Sequence, residues 1–402
     1  AQMIRTAGVL QLLMGNMGRP GGGIMALRGH ATIQGSTDIP TLYHILPGYL
    51  PMPKVGQDDF AEYTRAIGKK DQLPRLTGAH GTYQTTMRML EGGVDGYFLF
   101  GQNPAVGSAN GRLQRLAMSK LKWMVVRDFY MIESATFWRD GPEVESGELS
   151  PEQIATEMFY LPAANHTEKA GSFTQTQRMV QWRDQAVQPP GDARSDLEFM
   201  YELGLRIREK LRDSTDPRDR PILDLTWDYP RTEHGEPDAE AVLAEINGRH
   251  LEGERAGRPL SSFTEMKGDG STDGGCWIYA GVYADGVNQA RRRTPGQEQD
   301  EIAADWGWAW PANRRILYNR ASADPQGRTW SERKKLVWWD EDAGAWTGHD
   351  VPDFPVGRAP GTVPDADLNG PDALAGDDAF VMQPDGKGWL FAPSGLRDGP
   401  LP

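Results

Sequence analysis

Cysteine is almost absent from this sequence of 402 residues. The one cysteine, Cys276, excludes an internal disulfide, a four-cysteine zinc site and an iron–sulfur cluster ligated wholly by this chain. Long apolar runs are also missing, because none approaches the ~18 residues that a membrane-spanning helix needs. The sequence has no excess of positive charge either, since 43 Lys and Arg against 56 Asp and Glu give a net charge of −13. This balance disfavours a broad phosphate-binding surface, and we expect no nucleic-acid partner.

The remaining composition is that of a soluble globular protein with two or three domains. Apolar residues make up 38%, charged residues 25%, and the mean hydropathy is −0.58. The chain starts at Ala1, without an initiator methionine, directly in a helical pattern, and its last residues contain no helix or strand pattern. We therefore expect an internal segment of a longer protein.

Three zones of different composition predict the domain organisation. Residues 1–53 are interpreted as the end of a preceding α/β domain with a glycine-rich loop. In residues 54–212, helical patterns alternate with short β-branched and aromatic runs, which predicts an α/β fold with a parallel, Rossmann-like sheet. Residues 213–402 are rich in Pro, Gly, Asp and Trp, which predicts a long irregular insertion and a connector towards a missing C-terminal domain. We expect its tryptophans to be buried, including Trp306, Trp308 and Trp310.

Polar residues follow each predicted strand. The runs at residues 96–100, 123–126 and 158–161 are followed by Gln102 and Asn103, by Asp128, and by residues 168–175 with Arg178 respectively. Because ligands of open parallel sheets bind beyond the carboxyl ends of the strands, we expect these loops to line one crevice. A carboxylate such as Asp128 accepts hydrogen bonds from a purine amino group or from ribose hydroxyls. Three polar loops at one edge of the sheet together predict a nucleotide-like ligand.

The glycine-rich loop at residues 15–23 contains Arg19, and a second segment places Arg28 two residues before His30. Backbone N–H groups and one cation suit a phosphate, although the loop lacks the ending of a P-loop. The guanidinium of Arg28 can donate two parallel hydrogen bonds to a small carboxylate. His30 is either a hydrogen-bond donor or proton relay, or simply a surface or packed histidine.

Four stretches carry a resemblance to a known family: residues 15–35, 101–104, 168–175 and 308–325. They resemble the catalytic α (major) subunit of molybdenum- or tungsten-dependent formate dehydrogenases, in the dimethyl sulfoxide reductase superfamily. The resemblance extends over essentially the whole chain. It implies that residues 54–212 form a molybdopterin-dinucleotide-binding domain.

The resemblance implies that Arg28 lies near the metal and orients formate, with His30 in the same pocket. Together with the glycine-rich loop and the polar loops after the strands, it gives these cofactor-binding residues: Gly18, Arg19, Gly101, Gln102, Asn103, Asp128, Glu133, Ser134, Gly171, Ser172, Thr174 and Arg178. No metal ligand is predicted within this chain. Gln175 departs from the family pattern, in which asparagine usually follows the threonine that is Thr174 here.

The implied cofactors are a bis-molybdopterin guanine dinucleotide with Mo or W, and a 4Fe–4S cluster whose ligands lie outside this segment. The cysteine or selenocysteine that binds the metal in relatives also precedes the segment, so we expect the segment alone to be inactive. Cys276 is interpreted as a packed or structural thiol. The implied partners are formate, an iron–sulfur β subunit and a cytochrome b membrane subunit. The periplasm is the expected compartment, with the cytoplasm as the alternative.

Two other functions stay open at this point. The dinucleotide loops are shared with other molybdopterin oxidoreductases, which act on other oxyanions or small carboxylates. A non-catalytic scaffold that keeps the fold is the third hypothesis, since the metal-binding cysteine is not in this sequence.

Overall fold

The computed structural model describes residues 2–16, 24, 26–52, 76, 78, 80–176, 178–295, 298, 306–309, 323, 326–329, 337–348, 357, 359–360, 380–382 and 388–390. The chain forms two compact units. The first, here called the sheet unit, comprises Thr41–Gly171 and Trp182–Leu243. The second, the loop unit, comprises Ala1–Pro40, Ser172–Gln181 and Ala244–Pro402.

Most helices are short. In chain order they are α1 Gln2–Leu13, α2 Ile33–Asp38, α3 Thr82–Leu90, α4 Pro104–Gly107, α5 Gly111–Met118, α6 Glu133–Asp140, α7 Pro142–Glu145, α8 Asp196–Lys210, α9 Arg220–Leu223 and α10 Ala239–Asn247. Single 3₁₀ turns lie at Pro47–Tyr49, Pro151–Gln153, Pro217–Asp219, Gly253–Arg255, Phe263–Glu265, Trp277–Tyr279, Ala284–Gly286 and Gln289–Arg291. None of the helices in the described ranges is long and apolar enough to cross a membrane.

The strands form one parallel sheet and several antiparallel pairs. They are β1 Ile45–Leu46, β2 Leu50–Pro51, β3 Gly96–Phe100, β4 Trp123–Asp128, β5 Glu157–Pro162, β6 Gly171–Thr174, β7 Val180–Arg183, β8 Arg249–His250, β9 Thr272–Asp273, β10 Val337–Asp340, β11 Ala345–Gly348, β12 Phe380–Met382 and β13 Gly388–Leu390. The two-stranded sheets are β1-β2, β6-β7, β8-β9, β10-β11 and β12-β13.

The parallel sheet of the sheet unit has the order β3-β4-β5. Helices α4 and α5 connect β3 to β4, and α6 and α7 connect β4 to β5, as parallel strands require crossover connections. The central strand β4 is buried from Met124 to Arg127, which is typical of a parallel strand covered on both faces. Gly96 lies against the ring of Trp123, where a Cβ would be 1.9 Å from a ring carbon. A glycine is therefore required at the start of β3.

The core of the sheet unit is apolar and joins the sheet to its helices. It contains Met89, Leu99, Ala105, Ala117, Met118, Leu121, Met124, Val126, Ala135 and Phe137. Each helix from α3 to α6 contributes at least one of these side chains. This core holds the loops that follow β3 and β4 on a rigid base.

The loop unit is built mainly from turns. Its buried apolar residues include Leu260, Ile278, Val282 and Trp308. Buried polar side chains supply much of its hydrogen bonding. Asn247, for example, is fully buried and accepts hydrogen bonds from two backbone N–H groups, those of Gly281 at 2.8 Å and Tyr283 at 3.0 Å.

The structure confirms a mixed α/β fold with a parallel sheet at the three predicted runs. Trp308 is buried as expected and Trp306 is half-buried, while Trp310 lies outside the described residues. The three-part domain division of the sequence stays a prediction.

Candidate functional site

In the sheet unit, the loop after β3 is bonded to the start of α6. Asn103 Nδ2 donates to Glu133 Oε2 at 2.5 Å, and Asn103 Oδ1 accepts from the backbone N–H of Ser134 at 3.1 Å and from its hydroxyl at 2.8 Å. Ser134 is fully buried and its Oγ accepts from Ala105 N at 3.1 Å. The structure thus brings together three of the predicted cofactor-binding residues.

The Glu133 carboxylate is exposed, and its surroundings favour the ionised form. Its pKa is lowered by a hydrogen bond from its own backbone N–H at the start of α6 and by the hydrogen bond from Asn103. A carboxylate can only accept hydrogen bonds, so at neutral pH it suits a ligand with N–H or O–H groups.

A cavity of about 620 Å³ opens at the carboxyl end of β3. Its lining residues are Thr82, Tyr83, Thr86, Tyr97, Gln102, Asn103, Pro104, Gly107, Ser108, Ala109, Asn110, Leu113 and Gln114. Gly101 turns the chain towards it with a φ of +58°, and a Cβ at this glycine would meet no atom within 4 Å. The exposed side chain of Gln102 and the half-buried side chain of Asn103 therefore border a space of the size that small ligands occupy.

Asp128 ends β4 on the same edge of the sheet. Its Oδ1 accepts from the backbone N–H of Phe129 at 2.7 Å. The preceding Arg127 is buried and donates to the carbonyl oxygen of Arg194 at 2.6 Å, with its guanidinium 4.3 Å from the ring centroid of Phe199. Arg127 therefore anchors the segment before α8 to this end of β4.

In the loop unit, the predicted formate-binding arginine belongs to a chain of hydrogen bonds. Arg28 is exposed, and its Nη1 donates to Gln34 Oε1 at 2.9 Å. Gln34 Nε2 in turn donates to Asp38 Oδ1 at 2.8 Å. Arg178 completes the chain, donating from Nη2 to Asp38 Oδ1 at 3.2 Å and from Nε to Oδ2 at 3.3 Å. We call these four residues the arginine network.

Thr174 lies beside this network. Its hydroxyl is 2.7 Å from the hydroxyl of Tyr279, and its backbone N–H donates to Thr32 Oγ1 at 3.2 Å. Burial, together with the nearby negative charge of Asp38, raises the pKa of Tyr279, so this phenol stays protonated. A Cβ at Gly35 would lie 2.7 Å from Thr32 Oγ1, so a larger side chain would push this contact apart.

His30 is exposed and accepts at Nδ1 from the backbone N–H of Thr32 at 3.0 Å. The neutral ring therefore carries its proton on Nε2. Gly18 and Arg19 lie outside the described residues. Gly171 is half-buried, and a Cβ there would be 3.0 Å from Nη1 of Arg183, while Ser172 is half-buried and next to it in β6.

Two residues of the arginine network, Gln34 and Asp38, and the neighbouring Tyr279 are not predicted from the sequence, although Gln34 and Asp38 stand one helical turn apart. That spacing is a weak signal, because polar residues four positions apart are common on exposed helices. Cys276 is a packed thiol as expected, with its Sγ donating to the carbonyl oxygen of Asp38 at 3.4 Å.

The described residues contain no group of three or more His, Cys, Asp or Glu side chains arranged to hold a metal ion.

Residues 159–206 of this chain match the Molybdopterin family, whose description is Molybdopterin oxidoreductase.

The whole chain is similar to much longer proteins. Formate dehydrogenase, nitrate-inducible, major subunit of Escherichia coli (strain K12) is 35% identical over 449 aligned residues. The formate dehydrogenase subunit alpha of Megalodesulfovibrio gigas is 36% identical, and the formate dehydrogenase 2 subunit alpha (cytochrome c-553) of Nitratidesulfovibrio vulgaris is 34% identical. Each alignment covers 100% of this chain and 42% of the relative. The resemblance predicted from the sequence is confirmed, and the chain spans less than half the length of these relatives.

Proposed function

We propose that this chain is part of the catalytic subunit of a formate dehydrogenase that oxidises formate to carbon dioxide. The observation that carries the proposal is the similarity of this whole chain to a part of formate dehydrogenase major and alpha subunits. The arginine network supports it, because it gives Arg28 a defined partner.

Arg28 binds and orients formate in this proposal. Its planar guanidinium offers paired N–H donors that match the two oxygens of a carboxylate. With the substrate charge neutralised and its oxygens fixed, the C–H bond of formate points in one direction. His30, whose Nε2–H is the available ring donor, contributes a second hydrogen bond to formate.

A bis-molybdopterin guanine dinucleotide with Mo or W is the cofactor that we propose. When bound, it supplies the two-electron redox chemistry that amino-acid side chains lack. The carboxyl end of the parallel sheet fits one guanine nucleotide, because amides at Gln102 and Asn103 border the cavity and Asp128 ends the neighbouring strand. A carboxylate suits the N–H donors of a guanine edge, and an amide suits both donors and acceptors.

The domain division of the chain, its electron acceptors and its compartment are also proposals. We propose a Rossmann-like dinucleotide-binding domain at 54–212, with 1–53 as the end of a preceding domain and 213–402 as an irregular insertion and connector. We propose that a 4Fe–4S cluster ligated outside this segment would accept the electrons, and that an iron–sulfur β subunit and a cytochrome b membrane subunit are the partners. The proposed compartment is the periplasm.

The first experiment measures molybdenum and tungsten in the complete enzyme together with formate-dependent dye reduction. Metal and formate activity together are the expected result. Metal without formate activity would instead favour another molybdopterin oxidoreductase, and neither would favour a non-catalytic scaffold.

Replacing the guanidinium tests the role of Arg28. In the complete enzyme, Arg28→Ala should lower kcat/KM for formate by roughly a hundredfold or more, since a charge-assisted, bidentate contact is lost. Arg28→Lys keeps the charge but loses the fork and should recover part of this loss. Unchanged kinetics in Arg28→Ala would remove this residue from formate binding.

A further inference from the structure

The side chain of Arg28 is exposed, and a long exposed arginine samples many rotamers. Within the part of the chain that the structure describes, its guanidinium makes one side-chain hydrogen bond, to Gln34 Oε1 at 2.9 Å. A group that must hold a small carboxylate in one orientation needs its own position fixed first. The orientation of Arg28 therefore depends on Gln34.

We propose that Gln34 is a positioning residue for Arg28, and that the buried Asp38–Arg178 ion pair fixes the amide of Gln34. This inference rests on the proposed function, in which Arg28 binds formate. Gln34 does not touch the substrate in this scheme. It acts by holding the guanidinium.

Two neighbours fix the direction of the Gln34 amide. The side chain is 5% exposed, and its Nε2 lies 2.8 Å from Asp38 Oδ1. An ionised carboxylate only accepts hydrogen bonds, so Asp38 must face the NH₂ group of the amide. The carbonyl oxygen of Gln34 is then left facing Arg28, which only donates. The two neighbours leave the amide one orientation.

The position of the Asp38 carboxylate is fixed by its own partners. Its side chain is fully buried, and burying a carboxylate costs free energy unless it is paired and hydrogen-bonded. Arg178, 8% exposed, forms two hydrogen bonds with it, at 3.2 and 3.3 Å. The carbonyl oxygen of Asp38 also accepts from the thiol of Cys276, which holds the last residue of α2 from a distant part of the chain. The acceptor that orients Gln34 is thus itself held from two directions.

The backbone of Arg178 is held in an unusual conformation. It has a φ of +64°, the left-handed conformation that costs a non-glycine residue about 1–2 kcal/mol. Its carbonyl oxygen accepts from Ala309 N at 2.9 Å, so the turn between β6 and β7 is fixed by a second segment of the loop unit. A residue kept in this conformation is over-determined by its surroundings, which suits an anchor.

The main test is Gln34→Leu in the complete enzyme. Leucine has a similar size, fills the buried site and leaves the Asp38–Arg178 pair in place. Losing one hydrogen bond to a charged group should raise the formate KM by roughly ten- to a hundredfold, with a smaller change in kcat. Ser36→Ala is the matched control, because Ser36 lies in the same helix and, among the described residues, its hydroxyl donates to the carbonyl oxygen of Ile33 alone. The control should keep the original KM.

A double-variant cycle separates a positioning role from a general structural one. If Gln34 acts through Arg28, then adding Gln34→Leu to Arg28→Ala should change the formate KM less than twofold. Equal effects of Gln34→Leu in both backgrounds would overturn the inference.

A readout without turnover measures the guanidinium directly. Phenylglyoxal modifies arginine side chains, and peptide mass spectrometry reports its rate at Arg28 in the native protein. Gln34→Leu should raise that rate severalfold, whereas Ser36→Ala should leave it unchanged. An unchanged rate in Gln34→Leu would show that Gln34 does not hold Arg28.

The outcomes distinguish this inference from the proposed function. Normal formate kinetics in Arg28→Ala contradict the function assigned to Arg28. Impaired kinetics in Arg28→Ala with normal kinetics and labelling in Gln34→Leu contradict only the role of Gln34.

Discussion

Each of the two units contains an arginine–carboxylate pair with a buried carboxylate, and the two pairs connect different kinds of structure. In the sheet unit, Arg115 on α5 makes a two-point contact with Glu143 on α7, at 2.5 and 2.8 Å. In the loop unit, Arg178 contacts Asp38 at 3.2 and 3.3 Å. The first pair joins positions 28 residues apart, and the second joins positions 140 residues apart.

The surroundings of the two pairs also differ. Arg115 lies on α5, which packs in the apolar core of the sheet unit, and Glu143 lies on the short helix α7. The Asp38–Arg178 pair lies among turns, where no parallel sheet occurs within the described residues. We conclude that the first pair reinforces a region that is held by other contacts, while the second is one of the main contacts of its region.

The largest expected effect is at Arg178. Arg178→Ala leaves the carboxylate of Asp38 buried without its cation, which should lower the free energy of unfolding by about 3–5 kcal/mol. Arg178→Gly also loses the pair, but glycine accepts the left-handed backbone at this position, so it should be about 1 kcal/mol less destabilised than alanine. Urea denaturation, combined with hydrogen exchange of the loop-unit peptides, measures both.

An exposed arginine serves as the control for this prediction. Arg139 is 53% exposed at its side chain and, within the described ranges, its one ion pair is with the neighbouring Asp140, so Arg139→Ala should leave the free energy of unfolding nearly unchanged. Equal effects of Arg139→Ala and Arg178→Ala would contradict the contrast between a buried and a surface pair.

A smaller effect, and one that depends on pH, is expected at Glu143. The hydrogen bonds from Arg115 lower the pKa of Glu143 below its ordinary value. A lowered pKa means that the pair stabilises the fold above the unfolded-state pKa of about 4.3, and that this contribution is lost as the pH falls through the folded-state pKa. Glu143→Gln should therefore lower stability by roughly 1–3 kcal/mol at pH 7, with a difference that shrinks below about pH 4.

Thermal unfolding of the original protein and Glu143→Gln between pH 3 and pH 8 measures that difference. A gap between the two proteins that grows in acid would show that the ion pair does not carry the effect.

The smallest effect is expected at the strand-end loop. Asn103→Ala removes the hydrogen bonds to Glu133 and Ser134, and should lower stability by only about 0.5–1.5 kcal/mol, because the loop is half-exposed. The pKa of Glu133 should rise towards its ordinary value, since one of the two causes of its lowering is lost. A carbon-13 NMR titration of the Glu133 carboxyl measures this shift.

Gln102→Ala is the matched control in the same loop, and it should leave the pKa of Glu133 unchanged. A large loss of stability in Asn103→Ala would mean that the loops of the sheet unit are as dependent on polar contacts as those of the loop unit.

The two regions also differ in how far the sequence predicts them. The strands at Gly96–Phe100 and Trp123–Asp128 follow from local β-branched and aromatic runs, and the position of Asn103 follows from the end of the first. The bond from Asn103 to Glu133 crosses 30 residues and follows from the geometry of a parallel sheet.

The arginine network could not be predicted in the same way. Asp38 meets Arg178 only because the turn between β6 and β7 returns to α2, and no local pattern encodes that return. Thr174 meets Tyr279 across 105 residues of mostly irregular chain. The family resemblance predicts Arg28 and Thr174, and the polar loop after the third strand predicts Arg178. Their partners Gln34, Asp38 and Tyr279 are revealed only by the three-dimensional structure.

The separation between Asp38 and Arg178 has a consequence during synthesis on the ribosome. At roughly 5–20 residues per second, the 140 residues between them take roughly 7–28 s to translate. The three parallel strands emerge in that interval, ahead of the arginine. Asp38 therefore stays hydrated in a nascent chain until its cation arrives, and the end of α2 reaches its final place only after the sheet strands have been made.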